Sequence, residues 1–193
     1  MPVSGPSAAP VAIWTIGHSV RSIEEFLGLL AGAQIDAVAD VRSFPGSRKF
    51  PQYGREALKA TLEAQAIRYR WLPALGGRRR PRPDSPNSAW RNASFRGYAD
   101  YMSTPEFARG LDQLLEVSMK ARTAIMCSEA LWWRCHRSMI ADALSVRGLG
   151  VAHILDAKHN VMHPMTAPAR VVGGVLNYAV MDLEPCTPTN SLS

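Results

Sequence analysis

AIWTIGHSVRSIEEFLGLLAGAQIDAVADVR, residues 12–42, is the stretch that decides the fold. Its opening AIWTI, residues 12–16, is a short apolar run that breaks off at Gly17-His18-Ser19. Ser22-Ile23-Glu24-Glu25 then has the form of a capping box, in which Ser22 accepts from the amide three residues on and Glu25 reaches back. Ile23, Phe26, Leu27 and Leu30 keep one helical stripe. IDAVADVR at 35–42 is apolar again and ends in charge. The order is strand, helix, strand, and runs this apolar suit a parallel sheet buried on both faces.

The pattern repeats outward. SFPGSRKFPQY at 43–53 is a loop punctuated by Pro45-Gly46 and Pro51, followed by a helix over 54–66 and a strand at IRYRWL, 67–72. GGRRRPRPDSPNS at 76–88 reads as a mobile Gly/Pro/Arg loop. Residues 97–121 read as helical and broken before Pro105, with Phe107, Leu111, Leu114 and Leu115 on one face. TAIMC at 123–127 is a fourth strand, 135–147 a helix, VAHIL at 151–155 a fifth strand, and 171–180 a hairpin around Gly173-Gly174. Alternation of this kind predicts an α/β domain, with a mostly parallel sheet of about five core strands and helices on both faces. Residues 1–11 read as a flexible leader, 12–180 as a single domain and 181–193 as a tail.

The 193 residues are 47% hydrophobic and 20% charged, a globular balance without an apolar run long enough to span a bilayer. The N-terminus lacks the basic segment of a signal peptide, so the expected location is the cytoplasm. Three cysteines, Cys127, Cys135 and Cys186, make no disulfide framework and are expected reduced. The net charge is +6, and 18 of the 22 basic residues are Arg. Arginine suits bidentate contact with phosphate or carboxylate, although GC-rich codon usage explains the bias as well. Neither a P-loop nor a GxGxxG is present, which speaks against ATP hydrolysis and dinucleotide redox chemistry.

In α/β sheets ligands bind beyond the carboxyl ends of the strands. Those ends carry His18 and Ser19; Asp40 and Arg42, then Ser47, Arg48 and Lys49; Cys127 and Glu129; and Asp156, with His163 further on. The densest segment is IMCSEALWWRCHRSMIADAL, residues 125–144. Here Cys135 or Cys127 is a candidate nucleophile, His136 or His18 a candidate proton carrier, and Arg42, Arg48 and Arg137 a candidate anion clamp at a helix N-terminus. Cysteines at a strand end also serve as plain core, and a metal held by Cys127, Cys135, Glu129 and a histidine is a third reading, although no CxxC pair is present. Asp40 and Glu129 form a candidate acid/base pair, or each simply pairs with a nearby arginine. Trp132 and Trp133 stack on a ring or pack, His153 reads as a core histidine, and the Arg78–Arg82 run as a solvated loop or a phosphate clamp.

TIGHS at 15–19, DVRSFPGSRKFPQY at 40–53, FRGYADYM at 95–102, CSE with CHR within 127–137, and HPMT at 163–166 together resemble the DUF488 family, over roughly residues 12–180 and in the family's order. The resemblance implies an α/β fold. It marks His18, Asp40, Arg42, Ser47, Arg48, Cys127, Glu129, Cys135, His136, Arg137 and His163 as motif positions. The family is named for an unknown function, and the RRRPRPDSPNSAW segment is less typical of it.

Two function classes follow. The first is an enzyme acting on a phosphate-bearing or otherwise anionic substrate, a nucleotide or nucleic acid, through the Cys/His/Arg groups. The second is a module that binds a nucleotide or nucleic acid without turnover. No sequence feature specifies a cofactor or an oligomeric state.

Overall fold

The computed structural model describes residues 11–46 and 48–180. The rest of the expected leader, the tail with Cys186, and Ser47 lie outside the described residues. The elements are β1 (Val11–Gly17), α1 (Ile23–Gly32), β2 (Ala37–Asp40), α2 (Arg55–Ala64), β3 (Arg68–Trp71), α3 (Ala93–Met102), α4 (Pro105–Ser118), β4 (Thr123–Cys127), α5 (Arg137–Val146), β5 (Gly150–Ile154), β6 (Asn160–Met162), β7 (Arg170–Val172) and β8 (Val175–Asn177). β1 thus opens at Val11, the last residue assigned to the leader. Among the described residues, no helix is long and apolar enough to cross a membrane.

The chain forms an α/β sheet of order β3-β2-β4-β1-β5-β6. Its first five strands run parallel, and β6 pairs antiparallel with β5. Successive side chains of a strand point to opposite faces. Ile13, Val41, Ile125 and Cys127 therefore pack with Leu111, Leu114, Met139 and Ile140 of α4 and α5. Trp14, Ile16, Val38 and Met126 pack with Phe26, Leu30, Leu58 and Leu62 of α1 and α2.

Local signals set the helix starts. The Ser22 hydroxyl accepts from Glu25 N at 3.1 Å and the Glu25 carboxylate accepts from Ser22 N at 2.9 Å, a closed capping box. α4 begins at Pro105, where the missing amide costs nothing, behind a Thr104 cap. α3 starts four residues before the predicted 97, because the Asn92 side chain caps Ser94 N and Phe95 N. β6 is exposed throughout, so it lacks an apolar signature. Gly173 and Gly174 take φ of +57° and +79°, the left-handed pair that a tight β7–β8 turn requires.

The topology creates a crevice. The chain leaves β1 and β2 toward helices on one face and leaves β4 toward α5 on the other. β4 lies between β1 and β2, so connections diverge on both sides of its carboxyl end. Such a divergence is where open α/β sheets bind ligands.

Candidate functional site

Pairing continues past the strand ends and pulls three loops together. His18 N donates to the Cys127 carbonyl at 3.0 Å, Ser19 N to the Ser128 carbonyl at 2.9 Å, and Val41 N to the Met126 carbonyl at 3.0 Å. A Cβ on Gly17 would stand 1.9 Å from the Glu129 carbonyl oxygen, so only glycine permits this approach. Above the loops lies a cavity of about 510 Å³, lined among others by His18, Arg42, Arg78, Cys127, Cys135 and His136.

The α1/α2 side of the site is a buried ion pair. Asp40, fully buried at the end of β2, accepts Arg42 N at 3.0 Å, Nε at 2.9 Å and Nη2 at 2.6 Å. Tyr69 adds its hydroxyl at 2.6 Å. Arg42 Nη1 donates to the Tyr53 carbonyl at 2.8 Å and stands 3.3 Å from His18 Nε2. The Ser19 carbonyl can only accept, so the proton on His18 Nδ1 faces it at 3.1 Å, and Nε2 takes the Arg42 donor. Burial and then Arg42 depress the His18 pKa to about 4, so the ring is neutral at pH 7. It stacks on Tyr53 at 4.0 Å. Asp40 is thus the partner of Arg42 rather than a free acid or base.

The α5 side holds the sulfur. Cys127 ends β4, and a short 3₁₀ turn, Trp132–Arg134, brings Cys135 back to the start of α5. Arg137 is buried at 1% exposure, and its Nε donates to Cys135 Sγ at 3.3 Å. Its Nη2 donates to the Glu129 carbonyl and, at 3.5 Å, to that of Ala130. Arg137 therefore positions the 129–135 loop and, unlike Arg42 and Arg78, does not line the cavity. Glu129 is exposed, and its carboxylate accepts from Leu131 N at 3.3 Å. Its contact with Arg137 runs through the backbone.

Burial works to raise the Cys135 thiol, but the Cys127 hydrogen bond and Arg137 outweigh it and bring Cys135 down to about 6. Cys127 donates to Cys135 and is itself buried, so its thiol is held well above the ordinary value. His136 Nδ1 stands 3.7 Å from Cys135 Sγ, and its Nε2 bonds the Val41 carbonyl at 3.1 Å. Burial lowers its pKa. Sγ of both cysteines and a ring nitrogen of His136 lie within 4.8 Å of one another, which makes them the donors that could hold a metal.

Other sequence candidates lie elsewhere. Arg48 is exposed and outside the cavity lining, and Ser47 lies outside the described residues. His163 is enclosed away from the cavity, with Nε2 on Asp142 at 2.9 Å and Nδ1 facing His153 Nε2 at 2.9 Å. His153 is a core histidine, bonded to Thr15 at 2.7 Å and stacked on Trp132 at 4.2 Å.

Sequence reasoning missed Tyr53, Tyr69, Phe44 and Gly77. A Cβ on Gly77 would stand 2.8 Å from His136 Nδ1, so this glycine makes room for the imidazole. The next residue, Arg78, lines the cavity with a left-handed φ of 61°, and Ser19 on the same cavity has 45°. Strained backbone of this kind concentrates at functional sites. The FRGYADYM stretch accounts for how the 76–88 loop is held. Asp100 accepts Arg82 N at 2.8 Å, the Ser85 hydroxyl at 2.5 Å and Asn87 Nδ2 at 2.8 Å. Tyr98 and Tyr101 donate to the Leu75 and Ala74 carbonyls. Gly97 passes under Arg79 and Pro81, where a Cβ would meet backbone at 2.5–2.6 Å. The loop read as mobile is in fact tied at both ends, and that delivers Gly77 and Arg78 to the site.

The model of one family, Domain of unknown function DUF488, matches residues 22–144. No curated protein and no solved structure gave a match.

Proposed function

Because this chain belongs to the DUF488 family, whose name leaves the activity open, its chemistry must be argued from the site, and we propose an enzyme acting on a phosphate-bearing or otherwise anionic substrate. The Cys127–Cys135–His136 cluster is its reacting centre. The observation that carries this reading is the cluster's place against a cavity with cations on its wall. At about 510 Å³ the cavity falls within the range of about 300–1,000 Å³ usual for small-molecule sites. Arg42 and Arg78 face it against a single acidic residue, Glu129. Arg42 is held rigid by Asp40, which offsets its charge, so it offers a fixed donor without reorganisation, while Arg78 on its tied loop supplies the adaptable cation. Phe44 and Phe50 add apolar wall, which suits an anion carried on an organic group, such as a nucleotide. Two reduced thiols at the centre suit the cytoplasm.

The test is a panel of phosphate esters, nucleotides and short oligonucleotides, scored for turnover and for retention. Turnover of at least one anion, inhibited by inorganic phosphate, weakened by Arg78→Ala and abolished by Cys135→Ser, is the expected result. Retention without turnover that survives Cys135→Ser would make the protein a binding module. No retention of any anion would end the reading.

A further inference from the structure

We infer that Cys127 Sγ, Cys135 Sγ and His136 Nδ1 form a three-ligand site for a soft divalent cation of the zinc class, with its fourth position open to the cavity. This rests on the reading above in taking the cluster as the reacting centre, and it assigns the chemistry of that centre.

Four features carry it. The first is spacing. Sulfur and nitrogen on a tetrahedral zinc, at about 2.3 and about 2.1 Å from the ion, stand about 3.6 Å apart. Cys135 Sγ and His136 Nδ1 are 3.7 Å apart, and all three donors fall within 4.8 Å. The second is ring orientation. The Val41 carbonyl only accepts, so His136 carries its proton on Nε2 and turns the Nδ1 lone pair toward the sulfurs. A histidine ligand held by a backbone carbonyl through its other nitrogen is the usual outer-shell arrangement. The third is the Arg137 Nε–H on Cys135 Sγ, a donor that stabilises a metal-bound thiolate. The fourth is access. Cys127, Cys135 and His136 all line the cavity, so an ion held by three protein donors keeps a position for water or substrate.

Thiolate and imidazole donors select zinc over magnesium or calcium, which require oxygen. Loading the ion drives off the proton held between the two sulfurs, leaving two thiolates and a neutral imidazole around a dication. That assembly is neutral, and the buried Arg137 guanidinium beside it leaves the centre net positive. An anionic substrate is then drawn to the open coordination position, where the ion acts as a Lewis acid.

The experiment titrates the full chain, stripped with chelator, with Co²⁺ and then Zn²⁺. The expected result is one equivalent of Co²⁺, bound with proton release and showing sulfur-to-metal charge-transfer and tetrahedral ligand-field bands, then displaced by Zn²⁺ with no further proton released. Cys127→Ser and Cys135→Ser should each abolish the charge-transfer intensity or shift it to one-thiolate strength, while Cys186→Ser leaves it unchanged. Gly77→Ala, which crowds the imidazole without removing a ligand, should weaken Co²⁺ binding by about tenfold or more, the range seen when ligand orientation is lost. Circular dichroism of each variant reports folding, and the wild-type stoichiometry stands whether or not a variant folds. Absence of a stoichiometric sulfur-bound Co²⁺ species in the wild type overturns the inference, as does binding that persists in the double cysteine variant. A metal site of this composition with no anion retention upholds the inference and removes the anionic-substrate reading. Undiminished turnover by the stripped chain does the reverse.

Discussion

Asp40→Ala is the most informative single perturbation of the site. It deletes a fully buried carboxylate that receives three Arg42 donors and the Tyr69 hydroxyl. Arg42 keeps only its Tyr53 carbonyl and His18 contacts, so a buried guanidinium loses its counter-charge. Breaking one side of a buried pair costs about 3–5 kcal/mol. Replacing both partners with hydrocarbon, Asp40→Leu with Arg42→Met, removes the stranded charge. It takes from the Tyr69 hydroxyl, the Tyr53 carbonyl and His18 Nε2 the partners they have here, at about 1–3 kcal/mol for each such group left unpaired. The double variant should therefore cost well under the sum of the two singles, with a coupling energy of about 3 kcal/mol or more. Urea unfolding reads this directly, because a loss of about 4 kcal/mol lowers the midpoint by about 2 M for a slope of about 2 kcal/mol/M. Anion retention by the double variant then tests the proposed binding role of Arg42 apart from its structural one, since a folded double variant that retains an anion as the wild type does would leave Arg42 with the structural role alone. Singles that each cost under about 1 kcal/mol, or a double equal to their sum, would refute the reasoning.

Two further outcomes follow from the buried network around β5. Burial, and then His163, hold the His153 pKa at about 2, far below its ordinary 6.5. As pH falls below 6.5 the unfolded chain takes a proton that the folded chain refuses, so stability present above that value is lost; between pH 7 and pH 5 this one group removes about 2 kcal/mol. His153→Gln should flatten that slope in urea titrations, and wild-type stability that stays level from pH 7 to 5 would sink the account. Asp142 accepts His163 Nε2, Thr166 N, the Thr166 hydroxyl and the Tyr178 hydroxyl. Asp142→Asn replaces an acceptor with a donor against two buried hydroxyls and should cost about 2–4 kcal/mol. A thermal midpoint unchanged in that variant would show the network to be slack.

The parallel strands were legible because burial on both faces writes a continuous apolar run, as in TAIMC. The capping box at Ser22 was legible because it is local. β6 escaped because all three of its residues are exposed. Among site residues, those at strand ends could be read from the rule that loops beyond carboxyl ends converge. His163 could not be sorted from them, because its enclosure by His153 and Asp142 depends on β6 folding back on β5. Arg137 looked like a clamp from its position at a helix start, and only packing turned it inward. Gly77 and Tyr53 give no chemical signal of their own, and their roles come entirely from what lies above them.

The place of β4 between β1 and β2 has a consequence for how the chain is made. β1 pairs only with β4 and β5, and β2 only with β3 and β4. The register sets Gly17 against Cys127 and Asp40 against Met126. A chain growing at about 5–20 residues per second therefore carries a finished β1 for about 5 s or more before any native neighbour emerges. Until Thr123 has been added, β2 and β3 are the one parallel pair the nascent chain can form. Trp14 and Ile16 of β1 wait without a native strand neighbour through that interval, with only α1 and α2 available to cover them. Because β4 ends in Cys127 and runs straight on to Cys135 and His136, the strand that joins β1 to β2 is also the one that completes the proposed centre. Folding and assembly of the site are thus a single late event in synthesis.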